Sequence, residues 1–137
     1  MPRNDGTEAQ DAFVKTVMAK PRTWVERFRD AKDLRGINGG RPVGDFAKPS
    51  DFLVTENGSL HYAEVKSTQN PRRFRFSQIE DGQRSAALKQ AAIGGPYKFY
   101  IFSYGTSKWY IMDCQVYADA ISQGKSSVLL EDLETWK

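Results

Sequence analysis

A two-residue turn between two apolar segments constrains the fold of this chain most. Asn57-Gly58 separates residues 52–55 from residues 60–66, and both flanking segments are rich in residues that favour strands. Asn-Gly is the strongest short-range signal for a β-hairpin, because both residues of its tight turn need positive φ angles. The sequence therefore predicts two antiparallel strands that fold back on each other at this turn.

Three charged residues lie at the end of the predicted hairpin. Glu64 and Lys66 are two residues apart, so in a strand they share one face, while Val65 turns towards the core. Asp51 directly precedes the first strand, so the hairpin brings it near both. Two carboxylates without histidine or cysteine partners suit a hard cation such as Mg²⁺ or Mn²⁺. With a lysine that can orient water, they predict metal-assisted phosphodiester hydrolysis; the simpler alternative is a surface hairpin with an ordinary Glu–Lys pair.

The length and residue counts exclude several other classes of protein. At 137 residues the chain is expected to form one domain, residues 1–137, with a core that needs no disulfides. Cys114 and His61 are the only cysteine and histidine, which excludes an intramolecular disulfide framework and a zinc cluster of these residues. There is no long apolar run and no signal-peptide pattern, so we expect a soluble, cytoplasmic protein without membrane contact.

Basic residues are concentrated on both sides of the carboxylates. Residues 20–48 hold eight basic and four acidic side chains, and residues 66–90 hold six and two, which favours a polyanionic partner over an evenly solvated charged surface. The glycine-rich segment 29–45 predicts a loop that contacts phosphates, with a mobile linker as the alternative. Residues 72–76 alternate arginine with phenylalanine, so one face can be basic. The predicted DNA-binding residues are Arg29, Lys32, Arg35, Arg41, Arg72, Arg73 and Arg75.

The order of the other predicted elements indicates an α/β (α+β) fold. Helical patterns begin near residues 7 and 79, and strands are predicted at 23–28, 97–103 and 108–112. The resulting order α-β-β-β-α-β-β-α predicts a mixed central sheet flanked by helices. We expect the core to span residues 6–112. Residues 113–137 are expected to form a helical C-terminal tail, with a short strand or loop at 127–130 and a short acidic helical end at 131–136.

Pro49, Asp51, Glu64 and Lys66 resemble the motif of the PD-(D/E)XK nuclease superfamily, with Ser50 inserted between the proline and the aspartate. The resemblance covers about residues 6–112 and implies a restriction-endonuclease-like core. It implies that Asp51 and Glu64 hold one or two Mg²⁺ ions, which Mn²⁺ can replace, together with the Val65 carbonyl. It also implies that Lys66 positions the attacking water.

Two further positions resemble the branch of this superfamily that contains RecU-type and archaeal Hjc-type Holliday junction resolvases, which bacteriophages also encode. An acidic residue on the first helix reaches the metal in many members, and Glu8 matches it best, with a helix-dipole carboxylate as the alternative. In that branch, a glutamine on the helix after the E-x-K strand approaches the active site. We choose Gln83 over Gln78 for this position, and a solvent-facing glutamine is the alternative.

The resolvase resemblance implies a homodimer that cuts branched DNA to 5′-phosphate and 3′-hydroxyl ends. The loop 29–45 is longer than expected for these resolvases, and no junction-inserting stalk is identified. Two alternatives therefore remain open: a nuclease of the same superfamily that acts on a flap, a nick or duplex DNA, and a non-catalytic DNA-binding protein.

Overall fold

The hairpin predicted from Asn57-Gly58 lies at the centre of the structure, a computed structural model that describes residues 6–28 and 48–136. Strand β2 spans Phe52–Glu56 and strand β3 spans Ser59–Thr68. The two turn residues have φ angles of 51° and 84°, the positive values for which Asn and Gly are suited. The predicted hairpin is confirmed.

Four further strands join this hairpin: β1 Thr23–Arg27, β5 Tyr97–Ser103, β6 Lys108–Asp113 and β8 Glu134–Trp136. Within the described residues, the six strands form one mixed sheet in the order β1-β2-β3-β5-β6-β8. Strands β3 and β5 are parallel, and every other neighbouring pair is antiparallel. Parallel neighbours need a crossover connection. Here it contains a short strand, β4 (Arg73–Arg75), and a helix, α2 (Asp81–Ile93).

Helices cover both faces of this sheet, as the sequence predicted. Helix α1, Thr7–Met18, packs through Phe13 against one face, where that ring is fully buried in a cluster containing Val65 and Tyr100. Helix α2 and helix α3, Cys114–Ser122, cover the other face, where Phe99 is fully buried. Because Phe99 and Tyr100 are adjacent in β5, their burial in different clusters shows that the sheet is apolar on both sides.

The C-terminal segment corrects the expectation of a helical tail at 113–137. It is helical only at α3 and the single 3-10 turn Leu130–Asp132, and β8 joins the edge of the main sheet where a helical end was expected. Strand β7, Ser127–Leu129, lies where a short strand or loop was predicted and pairs with β4. The core therefore extends beyond residue 112. Aromatic packing explains why 134–136 is a strand: the Trp136 ring lies 4.9 Å from that of Tyr100 and 5.4 Å from that of Phe13. None of the described helices is long and apolar enough to span a membrane.

A buried histidine in β3 gives a first testable prediction. His61 is 6% exposed and shares a 2.9 Å hydrogen bond with the Tyr100 hydroxyl. Burial, with a smaller contribution from the Lys98 ammonium, lowers the pKa of His61 from 6.5 to about 4. The unfolded chain therefore binds one more proton than the folded chain between these values, so stability falls as pH decreases from 6.5 to 4.

We expect the free energy of unfolding to lose about 3 kcal/mol through His61 across that window. His61→Gln, which stays neutral, should remove this part of the pH dependence. Urea unfolding of both proteins at pH 7 and pH 4 measures the difference. If the free energy of unfolding changes with pH in the same way for both proteins, His61 has the same pKa in the folded and unfolded states.

Candidate active site

The backbone around Asp51 fixes the position of its carboxylate. The residue is 6% exposed, and its Oδ2 accepts a 3.0 Å hydrogen bond from the backbone N–H of Val65. The fully buried Ser50 donates its hydroxyl to the carbonyl oxygen of Phe52 at 2.8 Å, and the Tyr97 hydroxyl donates to the carbonyl of Pro49. These bonds hold the segment before β2 in place, so little reorganisation is needed when its carboxylate binds a cation.

The register of the hairpin places Glu64 beside Asp51. Phe52 pairs with Ala63, so one step further along the two antiparallel strands Asp51 comes opposite Glu64. Strand β3 is an interior strand, and Glu64 is only 2% exposed. Lys66, on the same face two residues later, places its Nζ 3.3 Å from Glu64 Oε2. The structure thus brings together the three residues at the centre of the sequence motif.

The environment of Glu64 favours its neutral form when no cation is bound. Burial and, after it, the negative charge of Asp51 raise the pKa of Glu64, Lys66 opposes both effects, and the net value is about 8. The Lys66 ammonium beside it is therefore not sufficient to keep this carboxyl group ionised at neutral pH. The shift is therefore of the kind that occurs at functional sites.

These side chains line an open cleft with a volume of about 410 Å³. Gln78, Gln83 and the backbone of Val65 contribute to the same cleft, as does Gln10 from α1. The predicted residues Asp51, Glu64, Val65, Lys66 and Gln83 are consequently all at one site.

Glu8 is the predicted metal ligand that the structure does not bring to this cleft. It is exposed and lines a separate small pocket with Phe102 and Tyr104, whereas Gln10 lines the cleft. Two residues along an α-helix turn the side chain by about 200°, so Glu8 and Gln10 flank opposite sides of the buried stripe that contains Phe13. The side chain that α1 presents to the site is thus an amide.

The structure places both candidate glutamines at the cleft but gives them different contacts. Gln83 Oε1 accepts a 3.0 Å hydrogen bond from the backbone N–H of Glu80, in a capping box that begins α2. Gln78 Oε1 is buried and has no hydrogen-bond partner among the described residues. The amide oxygen of Gln78, which the sequence analysis ranked second, is therefore the one still available to a ligand.

The predicted DNA-binding residues divide into two groups. Arg72, Arg73 and Arg75 lie in or next to β4, and all three are exposed, while Phe74 between them is fully buried, as the alternating pattern predicted. Arg73 Nη1 donates to the Ser127 hydroxyl at 3.2 Å. The second group lies outside the described residues and comprises Arg29, Lys32, Arg35 and Arg41.

Sequence reasoning missed two charged residues that line the cleft, Glu80 and Lys48. The Nζ of Lys48 lies 3.5 Å from Asp51 Oδ1, and this residue lines the cleft together with Lys66. The signal in the sequence was a Lys–Asp pair three residues apart directly before β2, which has no specificity by itself.

The oxygen atoms of the cleft fit a hard divalent cation. Glu64 Oε1 and Gln78 Oε1 are both buried without a hydrogen-bond partner among the described residues, and such orphaned oxygens are expected where a cation or its water binds. No group of three or more His, Cys, Asp or Glu residues within 6–28 and 48–136 is arranged to hold a metal. Mg²⁺ is usually bound through one or two carboxylates and several waters, a ligand set that Asp51 and Glu64 can supply.

Comparisons with known proteins identify the fold. No protein-family model matches the sequence, and no curated protein matches it. Among solved structures, the chain is similar to Archaeoglobus fulgidus Hjc, a Holliday junction resolvase from an archaeal hyperthermophile, with a TM-score of 0.54. The match covers 80% of this chain and 78% of that chain at 12% sequence identity. The chain therefore has the fold of an Hjc-type resolvase, the restriction-endonuclease-like fold that its motif predicted.

Proposed function

We propose that this chain is a metal-dependent endodeoxyribonuclease that acts on branched DNA, as a Holliday junction resolvase does. The observation that carries the proposal is the arrangement of Asp51, Glu64 and Lys66 in one cleft on the fold of a resolvase. Fold alone does not imply function. Support also comes from the site itself, because the motif residues share one cleft and the raised pKa of Glu64 is a shift of the kind that occurs at functional sites.

The motif residues and Gln78 have defined roles in the proposed reaction. Asp51 Oδ1, Glu64 and the Val65 carbonyl would hold Mg²⁺ or Mn²⁺, and Gln78 would hold the cation or a water bound to it. The bound cation supplies charge stabilisation at the phosphate and the leaving 3′ oxygen. Lys66 orients the attacking water, and the products carry 5′-phosphate and 3′-hydroxyl ends.

The remaining parts of the proposal concern the substrate and the assembly. Symmetric cutting of the two strands of a four-way junction requires two active sites, so we propose a homodimer that works in the cytoplasm, or in the host cytoplasm for a phage enzyme. The exposed Arg72, Arg73 and Arg75 supply charge for the DNA backbone.

A cleavage assay with two substrates and three metal conditions tests the proposal. An immobile four-way junction and a linear duplex of the same sequence are incubated with the protein in Mg²⁺, Mn²⁺ or EDTA. We expect paired, symmetric nicks in the junction only, and none in EDTA. Asp51→Asn preserves the shape of the side chain and an oxygen for the Val65 N–H, but it should lower cleavage roughly a hundredfold or more while the junction still binds.

Other outcomes identify the alternatives. Equal cutting of the junction and the duplex would make the protein a general nuclease with the same metal site. Junction binding without nicking in either metal would make it a non-catalytic DNA-binding protein, and the pairing of Asp51 with Glu64 would then need another explanation.

A further inference from the structure

A second lysine stands at the carboxylate of Asp51. Lys48 Nζ lies 3.5 Å from Asp51 Oδ1, and the two side chains are 18% and 8% exposed. Of the described residues that line the cleft, two are lysines, and each is paired with one carboxyl group: Lys48 with Asp51, and Lys66 with Glu64. The motif accounts for Lys66, whereas the proposed reaction gives Lys48 no role.

The contacts of Asp51 determine what Lys48 can affect. Asp51 Oδ2 is engaged by the backbone N–H of Val65, so Oδ1 is the oxygen that faces a cation in the cleft. Lys48 stands at this same atom. Its distance of 3.5 Å is longer than a charge-assisted hydrogen bond, so the contact is a charge attraction that a competing cation or a phosphate can replace.

The charges of the cleft make binding of a divalent cation to the free protein weak. With Asp51 and Glu64 both ionised, each carboxylate is neutralised by the ammonium group that contacts it. The exposed Glu80 is the one other charged residue among the described residues that line the cleft. A DNA phosphate that enters the cleft adds a negative charge and offers Lys48 another partner. Either effect frees Asp51 Oδ1 for the metal.

We propose that Lys48 makes metal binding at Asp51 depend on DNA. In the free protein its ammonium competes with the cation for Oδ1, and in the complex it turns to the phosphodiester backbone. This inference rests on the proposed nuclease function and adds a regulation of the same site. By linkage, DNA and metal then strengthen each other's binding by the same factor. Lys48 thus acts through Asp51, so that the metal site is complete only when DNA is bound.

Two measurements of Mn²⁺ affinity test this coupling. Electron paramagnetic resonance of free Mn²⁺ gives the dissociation constant for the protein without DNA. The Mn²⁺ concentration that half-saturates single-turnover cleavage of the four-way junction gives the affinity in the complex. For the unaltered protein we expect markedly tighter Mn²⁺ binding in the complex than in the free protein.

Substitution of Lys48 should act mainly on the free protein. Lys48→Met keeps the length of the side chain and should tighten Mn²⁺ binding to the free protein about tenfold, the effect of removing one charge near a dication in a largely solvated cleft. It should also reduce the difference between the Mn²⁺ affinity of the free protein and that of the DNA complex. Lys48→Arg keeps the charge, so its Mn²⁺ binding should be as weak as that of the unaltered protein. Lys89 is an exposed lysine of α2 outside the cleft, and Lys89→Met should change neither Mn²⁺ affinity. Thermal melts establish that each variant is folded.

The outcomes separate this inference from the proposed function. Unchanged Mn²⁺ affinity of free Lys48→Met, with Mn²⁺ binding abolished by Asp51→Asn, would overturn the role of Lys48 and leave the metal site standing. An equal change in Lys48→Met and Lys48→Arg would also overturn it, because a loss of shape and not of charge would then be responsible. Absence of both Mn²⁺ binding and cleavage in every protein would overturn the nuclease proposal itself.

Discussion

Replacement of Lys66 by methionine is expected to lower the single-turnover rate of junction cleavage by about 10²–10⁴-fold, the usual contribution of a positioned group that handles a proton or orients water. The side chain is 15% exposed, and its Nζ contacts the buried Glu64. Methionine preserves most of its apolar packing but cannot orient water or balance the charge of Glu64. Junction affinity should stay within a few-fold, because one charge among many contributes little to binding of the DNA backbone.

A lysine on the opposite face of the sheet provides the control. Lys98 is half-buried in β5 and pairs with Ala63, so by strand alternation it points away from Glu64 and Lys66. Lys98→Met should therefore cleave at nearly the original rate. The rates are compared at saturating Mn²⁺ and at pH 8.5, so that weaker metal binding does not mimic a slower reaction. Cleavage by Lys66→Met at the rate of Lys98→Met would remove Lys66 from the proposed mechanism.

The local sequence was sufficient to predict the centre of this site. Asn57-Gly58 determines a two-residue turn, and a turn of known length sets the strand register. That register alone places Asp51 opposite Glu64 and, by alternation, Lys66 on the same face. The mixed sheet flanked by helices followed from the order of periodic segments, because each element needs an apolar partner.

Positions determined by tertiary packing were not predictable in this way. The three-residue strand Glu134–Trp136 is too short to show a period, and its acidic flank resembled a helix; it is a strand because it pairs with β6 and Trp136 packs on distant aromatic rings. The periodicity of α1 identified the stripe that contains Phe13 but not which flank meets the cleft. Gln10 and not Glu8 is therefore the residue that the sheet contact brings to the site.

The role proposed for Lys48 also depends on three-dimensional context that its neighbours in sequence do not reveal. Its distance to Asp51 matters because Val65 engages the other oxygen of that carboxylate. Asp51 therefore has two partners, one just before it in the chain and one in β3. Substitutions in this cleft are expected to change metal affinity, cleavage rate and stability together, so each must be measured separately.

Replacement of Glu64 by glutamine is expected to abolish cleavage and, at high pH, to stabilise the metal-free protein. Because the pKa of Glu64 is raised from 4.5 to about 8 in the folded state, the folded chain binds more protons than the unfolded chain between these values. Its contribution to stability is fully present below pH 4.5 and is lost as pH rises through 8. The amide of Glu64→Gln is neutral throughout, so the variant should be more stable by roughly 5 kcal/mol at pH 9 and nearly equal in stability at pH 4.5.

With Mg²⁺ at pH 9, the original protein should instead be more stable than Glu64→Gln. The bound cation offsets the cost of the buried Glu64 charge, and the variant has no comparable charge to bind it. Urea unfolding of both proteins at pH 5 and pH 9, each with Mg²⁺ or with EDTA, measures all four cases. His61 contributes equally to both proteins and cancels in the comparison. If the two proteins have the same pH dependence in EDTA, Glu64 is ionised in the folded state without a metal, and Lys66 by itself is sufficient to stabilise its charge.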